Sequence, residues 1–142
     1  MDRTAEAQWN GDLRAGSGTI RLGSGVFEGP YSFTTRFEAA TGTNPEELLG
    51  AAHAGCYSMA LAFSLAKAGH PARSIATSAI VHLSKVGEGL GITGIDLVTH
   101  GSVPGIVEEE FQRHAAEAKV NCIISKALET VPITLTATLV AG

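Results

Sequence analysis

Cysteine is scarce in this chain: two occur among 142 residues, Cys56 and Cys122. So few thiols exclude the disulfide framework of a small secreted scaffold. In a reducing compartment such a pair is free, catalytic or redox-active rather than a structural bridge. Charge is thin as well, at 17% of residues with a formal net of −4. With no Lys/Arg cluster, that balance excludes a nucleic-acid-binding surface. Also missing is an apolar core in the opening stretch MDRTAEAQWNGDLRAG, so no secretory signal is expected and the expected compartment is the cytoplasm. The longest nearly uncharged run, 48–66, is interrupted by Gly50, His53, Gly55, Ser58 and Ser64. Its apolarity is largely alanine, so it is not expected to span a membrane.

What is present is a globular composition, 44% hydrophobic, with length for one domain over residues 1–142 and a core of its own. The runs AEAQWN and GTIRL flank GDLRAGSG, a turn-rich connector, and read as a hairpin. GSGVFEGP (23–30) reads as a loop. YSFTTRFEA (31–39) alternates, with Phe33, Thr35 and Phe37 on one face, and reads as a third strand.

A long helix is expected over 45–68. Asn44 suits its N-cap, Pro45 the first position and Glu47 a capping box; Gly69 and Pro71 stop it. Leu49, Ala52, Cys56, Met59, Ala60 and Phe63 recur at three- and four-residue spacing, and Leu48, Ala51, Ala62 and Leu65 fill other sides. A helix apolar nearly all round should be enclosed. Residues 74–86 and 90–103 read as two strands about GEG, with a bulge near Gly94. A second amphipathic helix is expected over 107–120, a short helical turn at NCIISKAL, and a last strand with Ile133, Leu135, Ala137 and Leu139 on its buried side.

The fold class is therefore α+β: a mostly antiparallel sheet wrapped around a long buried central helix. One sheet covers one side of such a helix, so a second copy of the chain is the simplest cover for the rest.

Burial alone makes Cys56 inert, because an apolar setting raises a thiol's pKa. A reactive Cys56 needs a permanent cation nearby. Arg36 is the natural candidate, as a guanidinium stays protonated when buried, and Glu46 or Glu47 could pair with it. His53 and Cys56 form an H-x-x-C pair one turn apart, but no second pair completes a metal site, and His53 reads as a packing or interface residue. The serines at 58 and 64 lack a G-x-S-x-G setting, which leaves a serine hydrolase unsupported.

The blocks AQWNGDLRAGSGTI, YSFTTRFEA, TNPEELLGAAHAGC and VPGI resemble the OsmC/Ohr family of thiol peroxidases, in its OsmC branch, nearly end to end. The resemblance implies an intertwined homodimer with its sites at the interface. It implies that Cys56 is the peroxidatic cysteine, oxidised to a sulfenic acid by an organic hydroperoxide or hydrogen peroxide, and Cys122 the resolving one. It assigns Arg36 to activation and Glu46 to pairing with it. An external thiol or dithiol, such as a lipoylated protein, would reduce the disulfide, with no metal or organic cofactor. Phe33, Phe37, Met59 and Phe63 could line an apolar pocket, though each also fits ordinary core. One departure stands out. The family's C-P-x-S is here Cys122-Ile123-Ile124-Ser125, which restores a backbone N–H and frees φ. A more mobile or differently shaped segment around Cys122 is the expected consequence. The alternative from another class is a non-enzymatic dimer that holds a small lipophilic molecule in the same cavity.

Overall fold

The computed structural model describes residues 1–141 and divides into two compact units, Met1–Leu48 and Leu49–Gly142. The first unit is an antiparallel meander of β1 (Ala5–Asn10), β2 (Ser17–Leu22) and β3 (Glu28–Tyr31), followed by a short helix α1 (Phe33–Phe37). The second contains most of a long helix α2 (Pro45–Lys67) and a sheet in the order β4 (Ser74–Val86), β5 (Gly89–Ser102), β6 (Ile133–Val140). Helices α3 (Glu108–Asn121) and α4 (Ile123–Ala127) lie between β5 and β6 in sequence.

The α+β class holds, with three corrections. There are two three-stranded sheets rather than one. In the second, β4 and β5 are antiparallel but β5 and β6 run parallel. The chain between β5 and β6 is a helical crossover, the connection that parallel neighbours require. Third, 31–39 is not a strand. Pairing starts earlier, at Glu28 against Arg21, and the chain turns helical after Ser32. Ser32 and Thr35 form a reciprocal capping box: Thr35 N–H donates to Ser32 Oγ at 3.3 Å, and Ser32 N–H to Thr35 Oγ1 at 2.8 Å. That local closure outcompetes the alternating pattern. It leaves Phe33 and Phe37 one turn apart with ring centroids 4.9 Å from each other.

Helix α2 begins and ends where its sequence punctuation indicates. Glu47 N–H donates to Asn44 Oδ1 at 2.8 Å. The Glu47 carboxylate does not complete the capping box; it accepts from Thr43 Oγ1 at 3.0 Å. Gly69, at φ +89°, takes the left-handed position after the helix, and His70 N–H returns to Leu65 C=O at 2.9 Å.

The buried face of α2 is not the row of Cys56, Met59 and Phe63. Gly50, His53, Tyr57, Leu61 and Leu65 are buried. With Ile95, Leu97, Phe111, Ala115 and Cys122, the last three of these on α2 form the core of the second unit. Leu61 and Leu65 are fully buried, and each such side chain stabilises a fold by roughly 1.5–3 kcal/mol. Met59 and Phe63 are 76% and 71% exposed in the single chain, which overturns their reading as ordinary core. In a single chain the helix is therefore enclosed on one side only. Among the described residues it is the one helix long and apolar enough to cross a membrane.

Other features follow the sequence closely. The β4–β5 ladder shifts register between His82 and Leu83, passing from Gly94 to Ile92 opposite them, so the bulge falls at Thr93. Strand β6 alternates as expected, with Ile133, Leu135, Ala137 and Leu139 against the core. Gly101 lets the Phe111 ring of α3 approach β5: a Cβ there would lie 2.6 Å from the ring.

Candidate active site

Each unit holds one half of the residues expected to react. In Met1–Leu48, Arg36 on α1 pairs with Glu46 in the first turn of α2. Its Nε donates to both carboxylate oxygens at 3.2 Å, and its Nη2 donates to Oε1 at 2.7 Å. The sequence left Glu46 and Glu47 open as partners on charge alone. Glu46 takes the guanidinium and Glu47 serves the helix cap. The contact raises the pKa of Arg36 further, mainly through the hydrogen bond to Glu46. The Arg36 side chain is 38% exposed while that of Glu46 is 11% exposed, so the carboxylate is the anchored partner. Beside the pair lies an aromatic cleft of about 380 Å³ lined by Trp9, Leu13, Tyr31, Phe33, Arg36 and Phe37. Trp9 packs on Tyr31 at 5.2 Å, and the Arg36 guanidinium sits 5.3 Å from the centre of the Phe37 ring.

In Leu49–Gly142, Cys56 and Cys122 come together. Both are free thiols, Cys56 half-buried on α2 and Cys122 buried at the junction of α3 and α4. They are close enough for each to change the other's ionisation. Burial, then the neighbouring Cys122, pushes the Cys56 thiol up, against the pull of the Ile124 and Ile123 N–H groups. Burial also works against the Cys122 thiolate. Cys56, the N–H and hydroxyl of Ser125 and the N–H of Ile124 outweigh it and bring Cys122 down. The pair thus shares its protons: one sulfur ionises at the other's expense.

The segment after Cys122 forms the short helical turn expected at NCIISKAL: α4 starts at Ile123 itself and Cys122 is its N-cap. Cys122 makes no side-chain cap hydrogen bond, yet the free N–H groups of the first turn lie near both sulfurs. The N–H that isoleucine restores at 123 acts on Cys56. A proline there could not supply it.

Two residues near the thiols had no chemical role assigned from the sequence. His53, one turn before Cys56 and read as a packing or interface residue, is fully buried, and its Nε2 lies 2.8 Å from Ser125 Oγ. Burial lowers its pKa. The H-x-x-C spacing drew attention to it, but no signal linked it to a serine 72 positions away. No group of His, Cys, Asp and Glu suited to a metal occurs among the described residues.

An α+β domain that brings two thiols together over a helix N-terminus defines a dithiol redox protein. The chain belongs to the OsmC-like protein family, whose pattern matches residues 38–136. It is 47% identical over 130 residues to Peroxiredoxin OsmC of Escherichia coli K12, covering 91% of each chain. Among solved structures it is similar to the organic hydroperoxide resistance protein OhrB of Bacillus subtilis. That match has a TM-score of 0.73 at 25% identity and covers 96% of this chain and 98% of the other. An OsmC-like protein of Mycoplasma pneumoniae shares the fold, with a TM-score of 0.77 at 17% identity over 99% and 98% of the two chains.

Proposed function

We propose that this chain is a cytoplasmic thiol-dependent peroxidase that reduces organic hydroperoxides, and hydrogen peroxide as a second substrate. The observation that carries the reading is the juxtaposition of Cys56 and Cys122, two free thiols drawn together across the fold. The names of the E. coli and B. subtilis relatives support it.

In this reading the Cys56 thiolate attacks the terminal peroxide oxygen. The O–O bond breaks, the alkoxide leaves as alcohol after taking a proton, and Cys56 becomes a sulfenic acid. Cys122 then displaces hydroxide from that sulfur, giving a disulfide and water. An external thiol or dithiol, for which a lipoylated protein is suited, restores both thiols. The family resemblance assigns Arg36, held by Glu46, to activation: a fixed positive charge of that kind favours a thiolate and a departing oxyanion. The aromatic cleft beside Arg36 supports an organic peroxide over a purely polar one. The chain works as a homodimer, a reading supported by the bare apolar stripe of α2 that includes Met59 and Phe63. A soluble dimer needs no membrane.

The test is a thiol count. Reduced protein receives one equivalent of cumene hydroperoxide, and free thiols are titrated afterwards. Both should disappear in the wild type, while Cys56→Ser should keep its remaining thiol. Peroxide consumption by Cys56→Ser at the wild-type rate would remove the enzyme reading and leave a ligand-binding dimer.

A further inference from the structure

Resolution of the sulfenic acid poses a problem that Cys56, Arg36 and Glu46 do not address. Cys122 must lose its own proton to attack; its neighbours favour the thiolate, yet at 1% exposure it has no solvent beside it to take the proton. A second feature of the same region has no assigned role. His53 is fully buried on α2 and its Nδ1 has no hydrogen-bond partner. Such an orphaned buried nitrogen weakens a fold, and an apolar side chain of similar size would avoid the cost. The other ring nitrogen, Nε2, meets Ser125 Oγ at 2.8 Å, and Ser125 is itself only 6% exposed. Ser125 is the third residue of α4, and Cys122 is the N-cap of that helix. The Ser125 hydroxyl lies close enough to Cys122 to favour its thiolate, though short of a formed hydrogen bond. His53, Ser125 and Cys122 therefore lie in order from α2 to the second thiol, with His53 and Ser125 hydrogen-bonded.

We infer that His53 and Ser125 are the proton-accepting unit for Cys122 in the resolving step, a role that rests on the peroxidase reading above. The Cys122 S–H proton passes to Ser125 Oγ as the Ser125 hydroxyl proton passes to His53 Nε2. The Cys122 thiolate attacks the Cys56 sulfur, the S–S bond forms, and the S–O bond breaks with its electron pair leaving on hydroxide. Hydroxide departs as water with the proton that the imidazolium releases. The sum is one sulfenic acid and one thiol converted to one disulfide and one water, with no further oxidant. His53 must begin neutral, with its proton on Nδ1 and Nε2 free to accept. Burial, the one influence that moves its pKa, favours the neutral ring. Titratable neighbours of Cys122 are Cys56 and Tyr57, both on α2. Tyr57 donates its hydroxyl to Ala115 C=O at 3.1 Å, and burial raises its pKa, so it stays neutral.

The experiment separates the two chemical steps. Reduced protein is mixed rapidly with one equivalent of cumene hydroperoxide from pH 5.5 to 9, and dimedone traps any sulfenic acid. Trapped sulfenate and disulfide are then counted by mass spectrometry. Wild type should give disulfide with little trapped sulfenate. At pH 7, Ser125→Ala and His53→Gln should raise the ratio of trapped sulfenate to disulfide about tenfold or more. That excess should shrink as pH rises and Cys122 ionises unaided. Ser125→Thr, which keeps the hydroxyl, should restore the wild-type ratio. In the reduced wild type, ¹⁵N NMR should find the His53 proton on Nδ1. A wild-type ratio in Ser125→Ala would overturn the assignment, as would an excess equal at every pH, which marks a merely structural role. Should wild type give neither sulfenate nor disulfide, the peroxidase reading itself fails, an outcome distinct from both.

Discussion

Arg36 and Glu46 meet through a fork, with Nε and Nη2 of the guanidinium both directed at one carboxylate. Ten residues separate them, and each sits on a different helix. The pairing fixes the orientation of the cation, which a lysine's single ammonium cannot reproduce. Arg36→Lys keeps the charge and loses the fork. The expected result is a slowing of the first oxidation step by about 10²-fold, the usual effect of removing one donor from a developing oxyanion. Glu46→Gln should act in the same direction and less strongly. Single-turnover peroxide consumption measures both. Unchanged rates would take the pair out of the chemistry.

Ile123 stands where the resemblance predicts proline, and its N–H favours the ionised form of Cys56. Ile123→Pro removes that donor while suiting the first position of a helix. Ile123 is 76% exposed, so the exchange should leave the core intact. The sign is set by the anion: losing an N–H that stabilises it moves the Cys56 pKa upward. The pH profile of Cys56 alkylation, followed in a Cys122→Ser background, should shift to higher pH. A profile that stays in place or moves down would show that the N–H has no hold on this sulfur.

Phe63 is 71% exposed on α2 in the single chain. On a surface that stayed in solvent, Phe63→Asp would change stability by no more than about 0.5 kcal/mol. If this face lies between two copies, the same change buries a charge without a partner. The expected outcome is a shift from dimer to monomer in sedimentation, with loss of peroxidase turnover. A variant that sediments and turns over like wild type would place the contact between copies elsewhere.

Local chemistry made some of this protein legible from its residues. Asn44, Pro45, Gly69 and Pro71 bound α2 because capping and left-handed turns are decided within a few residues. Strand β6 was readable because alternation has a single phase, and so was the bulge in the β4–β5 hairpin. The two thiols stood out through scarcity. Short-range competition misled in one place: Phe33, Thr35 and Phe37 alternate, yet Ser32 caps a helical turn over them.

What the sequence determined, then, is where the elements lie and which side chains have reactive chemistry. Only the tertiary structure decided which face of α2 is buried. That helix is apolar nearly all round, so hydropathy has no phase there. His53 and Tyr57 enter the interior because Ser125 and the Ala115 carbonyl, far along the chain, satisfy their polar atoms. The same dependence on distant partners chose Glu46 over Glu47 for Arg36 and brought Cys122 to Cys56. Composition and spacing left these two pairings open and the family resemblance named them; the contacts themselves form only in the folded chain.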